Sequence, residues 1–323
     1  MRKGIILGLA LFVFAVMGIA QVTAQAITVY MQMGGKEGDP STLARTNGAR
    51  AAAKALKIKL VEQYSGWDTT KMLEQFKQAL AARPTAIVIM GHPGEDAFKD
   101  LVARAIQRGI IVTSGNNPLP GLEAKYKDKG FGYAGADLYA GGYLTGQTMV
   151  AAGLKAGDHA LVYDIIHQEG RRKSPEGMAQ ALKDAGVIVE MLDMTQDVDS
   201  DMSKAIPLLV GYLQKHPECK AIGTQHGNLT SFFPKILQQA GKRPGQIITG
   251  GIDLSPLTLD GIKRGWIQAS FDQVLYLQGY MPVLQCWLTK TDKMPGLHID
   301  TGVGEVTPKN LAELKPLIDK GTR

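Results

Sequence analysis

Short apolar runs alternate with stretches of helical periodicity from residue 27 onward, and the whole alternation happens twice. Runs of strand character at 27–31, 58–63, 86–90, 110–113 and 131–135 are separated by helical patterns at 44–56, 70–82 and 96–108. A helical stretch over 138–152 leads into a second series, with strands at 159–163, 187–194 and 221–224 and helices at 175–185, 199–216 and 231–240. Strands that alternate one for one with helices pair in parallel, because each right-handed crossover returns the chain to the same end of the sheet and covers its faces. The pattern therefore predicts an α/β chain with two doubly wound parallel-sheet lobes. No low-complexity, Pro-rich or Ser-rich linker separates the two series, so short connecting strands join the lobes rather than a floppy tether.

The rhythm is absent from the first residues. Arg2 and Lys3 precede an apolar run over 4–20, and Ala24-Gln25-Ala26 then supplies small residues for a signal peptidase, so 1–26 reads as a cleaved secretory signal peptide. The competing reading is a retained anchor, since the run approaches spanning length; the small-residue site directly after it favours cleavage. No cysteine follows the run, which argues against a lipid anchor. The rest of the 323-residue chain is long enough for two domains and is expected in the periplasm.

Lys and Arg number 36 against 30 Asp and Glu, and the basic positions are scattered rather than clustered with aromatics, so nucleic acid is not an expected partner. Cys219 and Cys286 match no metal spacing; an oxidising compartment permits either a bridge between them or two buried thiols. The six His show no metal-ligand motif, so no metal and no cofactor is expected.

Chemistry is concentrated at two strand ends. The run Ile247, Ile248 and Ile252 stops at Asp253; Leu257, Leu259 and Ile262 then recur at helical spacing until Gly265, and the next strand, 266–271, ends at Asp272 and Gln273. Open parallel sheets bind ligands at this carboxyl edge. A carboxylate accepts hydrogen bonds from neighbouring hydroxyls, and a primary amide both donates and accepts, so the pair suits a polyol. Asp253 could equally cap the helix that follows, with Ser255 or Pro256 starting it. No G-x-S-x-G elbow is present, and the glycine-rich stretch 34–38 is neither a dinucleotide fingerprint nor a P-loop.

These residues resemble the ribose-type periplasmic binding proteins, which deliver sugars to ABC importers. The likeness covers nearly all of the chain after the signal peptide. Its most specific part is Gly251-Ile252-Asp253, then Ile262-Lys263-Arg264-Gly265, then Gln273 and Gly279; Gly135-Ala136-Asp137 with Gly141 and Gly142 resembles the segment where that family's chain first crosses between lobes. The resemblance implies lobes at 27–136 with 273–300 and at 137–272 with 301–323, closing about a three-strand hinge near Asp137, near Asp272 and at 300–302.

It also implies a ligand set. Asp39-Pro40 stands where the family has Asn-Pro, and Ser41 and Thr42 replace two aromatics, which favours a smaller or acyclic polyol. Trp67 or Phe98 either supplies the stacking face or packs in the core. His92 replaces an Asn, or is a loop histidine near the helix start at Asp96; Asn116 and Asn117 occupy the place of an Asp-Arg pair, or form a simple turn leading to Pro118 and Pro120. Arg172 is the choice among Arg171, Arg172 and Lys173 to reach the cleft, His226 stands in for another Asn with Asn228 in reserve, and Asp137 completes the set. The implied function is capture of a monosaccharide or sugar alcohol by a monomer that hands it to a membrane permease, with a chemoreceptor as a possible second partner. The rival is a secreted α/β enzyme using Asp253 or His92 as acid or base; a transcription factor's effector domain is disfavoured by the signal peptide.

Overall fold

A computed structural model describes residues 26–323; the signal peptide expected at 1–26 lies, but for its last residue, outside the described residues. The first series of strands is β1 Thr28–Gly34, β2 Lys59–Tyr64, β3 Ala86–Met90, β4 Ile111–Gly115 and β5 Tyr133–Gly135, and the second is β6 His159–Asp164, β7 Ile188–Asp193, β8 Cys219–Gly223, β9 Ile248–Ile252 and β10 Ala269–Asp272. Two short strands close the chain, β11 His298–Asp300 and β12 Gly304–Val306. They form two six-stranded sheets, ordered β11-β5-β4-β3-β1-β2 and β12-β10-β9-β8-β6-β7. Every pairing is parallel except β10 with β12. The architecture is the doubly wound pair of sheets that the alternation implies.

Helices fill both faces of each sheet. In the first half they are α1 Pro40–Leu56, α2 Thr69–Ala82, α3 Glu95–Gln107 and α4 Pro120–Tyr126; α5 Leu138–Ala151, α6 Lys173–Asp184, α7 Gln196–Ser200, α8 Ala205–Lys215, α9 Gly227–Gln239 and α10 Pro256–Lys263 follow, then α11 Leu275–Asp292 and α12 Leu311–Asp319. Successive residues of a strand face opposite sides, so Ile87 and Ile89 join Phe76, Phe98 and Val102 under α2 and α3, while Ala86 and Val88 join Ala49, Val283 and Cys286 under α1 and α11. The second sheet is built likewise, with Leu161, Ile222 and Phe233 on one side and Val162, Met149 and Met178 on the other.

The helix expected over 199–216 is instead broken. Asp201 is extended (φ −140°, ψ 86°) and its carboxylate accepts from Ser203 N, a local bond that competes with helix propagation and splits α7 from α8. Cys219 lies on β8 of the second sheet and Cys286 on α11, against the first sheet, and both are free and buried. Burial pushes the Cys219 thiol up to about 11 and that of Cys286 to about 12, so the buried-thiol reading holds and neither is a ready nucleophile.

Two helix pairs approach so closely that only glycine fits. On α1 and α11, a β-carbon at Gly48 would overlap the Tyr276 carbonyl and one at Gly279 the Arg45 carbonyl. On α5 and α6, Gly142 stands against the Ser174 carbonyl and Gly177 against that of Tyr139. The chain passes between the sheets three times, after β5, after β10 and after β11. These passages are stitched together: Thr301 N donates to Gly135 O at 3.0 Å, and Thr301 Oγ1 donates to Gln273 O at 2.7 Å.

Gly48→Val is expected to drive a branched side chain into the Tyr276 backbone and to lower stability by about 1–3 kcal/mol. Gly211→Ala, where a β-carbon meets nothing within 4 Å, is expected to raise stability by about 0.5–1 kcal/mol. Urea unfolding of the two variants should give shifts of opposite sign.

Candidate functional site

Loops at the carboxyl ends of both sheets enclose one cavity. The first sheet supplies Ser41 and Arg45 from α1 after β1, Trp67 after β2, His92 after β3, and Asn116 and Asn117 after β4. The second supplies Asp164, Arg171 and Ser174 after β6, Gln225 and His226 after β8, and Asp253 after β9; Gln273, just past β10, sits where the chain returns to the first half. The halves touch around it: Ser41 Oγ donates to Asn228 Oδ1 at 3.0 Å, and Gln196 Nε2 to Trp67 O at 3.3 Å.

Several of these positions are held in left-handed backbone that ordinary side chains avoid. Trp67 (φ 64°), Asn116 (φ 64°) and Asp253 (φ 65°) are the positive-φ non-glycine residues, among those described, that are not helix caps, and Val274 (φ 46°), beside Gln273, is the N-cap of α11. Such conformations cost of order 1–3 kcal/mol each and persist where the surroundings enforce them.

Gln273 Nε2 donates to Asp253 Oδ1 at 2.7 Å, so the strand-end pair faces inward and together. The helix cap is Ser255, whose hydroxyl accepts from Thr258 N, which leaves Asp253 free of that role. Burial pushes the Asp253 carboxyl up to about 6, against the pull of Gln273, Arg45 and His226. Arg45 is 1 % exposed; burial lowers it to about 10 while Asp253 holds it up, and its Nη1 is anchored on Met33 O at 2.8 Å. Arg171 grips Asp199 through both terminal nitrogens at 2.8 and 3.3 Å, and His226 Nε2 meets the same carboxylate at 2.8 Å. Although burial opposes its charge, Asp199 is held well below the usual carboxylate range by Arg171 and His226.

Trp67 is the wall between the halves. His92 stacks on the indole at 5.4 Å and 17°, His226 meets it edge-on at 6.3 Å, and the guanidinium carbons of Arg45 and Arg171 each lie 5.9 Å from its centroid. Phe98, the other stacking candidate, packs on Phe76 in the core at 5.8 Å. His92 Nε2 lies 2.8 Å from Asn116 Oδ1, and burial, followed by Arg171, drives the imidazole down to about 3. It is therefore neutral, with Nε2 as donor and Nδ1 as a bare acceptor.

Asp253, Gln273, Asn116, Asn117, His92 and His226 thus meet at one place, and three expected residues do not. Asp137 is exposed, and its carboxylate caps α5 through Ala140 N at 3.0 Å. Asp39 closes the turn before α1 by accepting from Lys36 N at 2.8 Å. Arg172 pairs with Glu176, one turn on, at 3.3 Å; Arg171, the neighbouring position, reaches the cavity because buried Asp199 captures it. Asn228 bridges the rim. Arg45, Asp164, Asp199 and Gln225 escaped the sequence reading. Asp164 ends a strand just as Asp253 does and was open to the same rule; Arg45 had only its place on an apolar helix face as a signal. Among the described residues no group of three or more His, Cys, Asp or Glu is arranged to hold a metal.

The sequence model of the family described as periplasmic binding protein domain matches residues 38–288. The chain is similar to a protein of Sulfolobus acidocaldarius named xylose/arabinose-binding protein XylF, 27% identical over 76% of this chain and 62% of that protein, so it spans under two thirds of that relative's length. It is also similar to a ribose import binding protein, RbsB, of Salmonella typhimurium, 26% identical over 73% of this chain and 76% of that one. Among solved structures, a carbohydrate transporter from Acidothermus cellulolyticus in complex with myo-inositol superposes with a TM-score of 0.76 at 21% identity, covering 92% of this chain and all of that one; at that identity the likeness speaks for the fold.

Asp253 carries its own pH signature. Its folded value, about 6, lies above the ordinary 3.8, so the folded state binds the proton more tightly and stability from this group is present below pH 4 and lost as pH rises through 6. Asp253→Asn, which stays neutral, is expected to gain on the parent between pH 4 and 6, by about 2–3 kcal/mol, and to hold that gain above pH 6.5. Urea unfolding across pH 4–8 measures it; a difference independent of pH would contradict a buried, ionising carboxyl.

Proposed function

The chain belongs to the periplasmic binding protein domain family, in its type I sugar-binding branch, and from that premise we propose that it captures a monosaccharide or sugar alcohol as the solute-binding component of an ABC importer. The observation that carries this reading is the polarity of the cavity wall. Trp67 Nε1 and Arg45 Nε are buried donors without partners among the described residues, and Asn117 Oδ1 and His92 Nδ1 are buried acceptors in the same state. Hydroxyl groups serve both, since each donates once and accepts twice.

Charge points the same way. Arg171 is neutralised by Asp199, and Arg45 is balanced by nearby Asp253, so an anionic ligand would be taken out of water against no free cation on the wall. Each neutral hydrogen bond contributes about 1 kcal/mol net and each bond to a carboxylate about 1.5–3, so five or six are needed for micromolar affinity. The sugars named for XylF and RbsB, and the inositol bound to the Acidothermus protein, are oxygen-rich and uncharged.

In this reading the lobes are 27–136 with 273–300 and 137–272 with 301–323, hinged at the three passages, and closure expels water from both wall and ligand. The signal peptide is removed, the monomer works in the periplasm, and its closed form is handed to a membrane permease and, in some settings, a chemoreceptor. Catalysis is not part of the proposal. The cavity hydroxyls are committed elsewhere, Ser41 to Asn228 and Ser174 to Gln225 at 2.9 Å, and neither stands against a base.

Thermal denaturation against a panel of pentoses, hexoses, inositols and linear alditols is expected to single out one or two ligands, with about 2.7 kcal/mol of added stability at 100 times Kd. Asp253→Ala is expected to weaken that ligand at least 100-fold in calorimetry with an unchanged circular dichroism spectrum. Unaltered affinity would place the site elsewhere, and turnover of a glycoside would favour the enzyme.

A further inference from the structure

Gln278 lies on the second turn of α11, is fully buried, and does not touch the cavity. Its carboxamide nonetheless meets groups from both sides of the hinge. Asn116 Nδ2 and Arg45 Nη2 donate to its oxygen at 2.9 and 3.3 Å. Its nitrogen donates to Gln273 Oε1 at 2.8 Å, to Gln273 O at 3.2 Å and to Thr301 Oγ1 at 3.2 Å.

The direction of every one of these bonds is forced. A guanidinium only donates, so the oxygen of Gln278 faces Arg45 and its nitrogen faces Gln273 and Thr301. Gln273 must then present its own oxygen to Gln278, which turns its nitrogen onto Asp253 Oδ1. Asn116, donating to the oxygens of Gln278 and Gln273 at 2.9 and 3.3 Å, must turn its oxygen to His92. That in turn fixes the proton on His92 Nε2 and bares Nδ1. A donor-only group, Arg45, and an acceptor-only carboxylate, Asp253, thus agree on one donor and acceptor pattern for the cavity, and Gln278 is the amide that carries it from the first to Gln273 and Asn116.

We propose that Gln278 is a positioning residue: it transmits the fixed polarity of Arg45 to Gln273 and Asn116, and ties that pattern to the second and third hinge passages through Gln273 O and Thr301. The proposal rests on the polyol-binding reading for its functional meaning. Its geometric content does not need a ligand.

Gln278→Glu has the same shape and can still accept from Arg45 and Asn116, but it offers Gln273 no N–H. The Gln273 amide is then expected to turn its nitrogen to the new carboxylate and its oxygen to Asp253, whose midpoint the added negative charge also raises, while Arg45, His226 and Asp272 remain as its other charged neighbours; the uncharged Gln278→Met separates the two effects. The test is the Asp253 carboxyl midpoint, followed by 13C NMR on Asp-labelled protein with Asp253→Asn to assign the resonance. In Gln278→Glu it should move up by a unit or more, and the affinity for the parent's preferred polyol should fall at least tenfold. Gln278→Met, which keeps volume and drops all the bonds, should shift the midpoint in the same direction by less and covers the case in which the Glu variant does not fold. If both variants lower the melting temperature yet leave the midpoint within 0.3 units and the affinity within twofold, Gln278 is merely structural and the proposal fails. A parent that binds no polyol would instead refute the functional reading, and the midpoint would still decide the role of Gln278.

Discussion

Desolvation governs this structure. Bringing the carboxyl edges of two parallel sheets face to face removes water from the polar side chains that line them, and each buried polar atom left without a partner costs about 1–3 kcal/mol. Most of the groups here answer that cost with one another: Arg171 with Asp199, Gln273 with Asp253, Asn116 with His92, Gln225 with Ser174. Of the ten buried side-chain atoms left without a partner among the described residues, five, on Arg45, Trp67, His92, Asn117 and His226, stand on the cavity wall. That share in one small region is the physical mark of a binding surface.

Backbone strain is concentrated in the same place. The left-handed conformations of Asn116 and Asp253 begin where each strand ends, and that of Trp67 three residues past β2, so the chain turns sharply instead of capping its next helix with that side chain. At β9 the consequence is visible: Ser255 takes over the cap and Asp253 is released to face Gln273. Glycine packing contributes from behind. The contact of Gly48 and Gly279 with the opposing backbone lets α1 and α11 approach until Arg45 on one reaches Gln278 on the other.

The fold was legible because the βα rhythm is a one-dimensional signal, carried by residues adjacent in sequence. The strand-end rule likewise found Asp253 and Gln273. It erred where a side chain's role depends on a partner distant in the chain. Nothing around residues 171–173 tells which basic group turns inward; Asp199, 28 positions on, decides it. Asp137 and Asp39 have the right chemistry and place, but nearby backbone N–H groups claim their carboxylates first. Trp67 presents the opposite case: its composition argues for the core, and it is indeed buried, yet it is the surroundings of its ring, two imidazoles and two guanidiniums, that make it part of the site.

Charge is distributed unequally between the halves, and this bears on how closure is coupled to binding. The wall from the first sheet carries one formal charge, Arg45, whereas the second carries Asp164, Asp253 and Arg171, the last backed by buried Asp199. Arg45 and Asp253 attract each other across the gap without forming an ion pair, so the attraction is present while the carboxylate keeps lone pairs for a third party. Burial of Asp253 comes at the expense of its hydration, which is what raises its proton affinity. In the proposed function, a solute that donates hydroxyls to that carboxylate would restore the lost bonds only when the halves are together, and the free-energy difference between open and closed forms would then be set largely by the ligand.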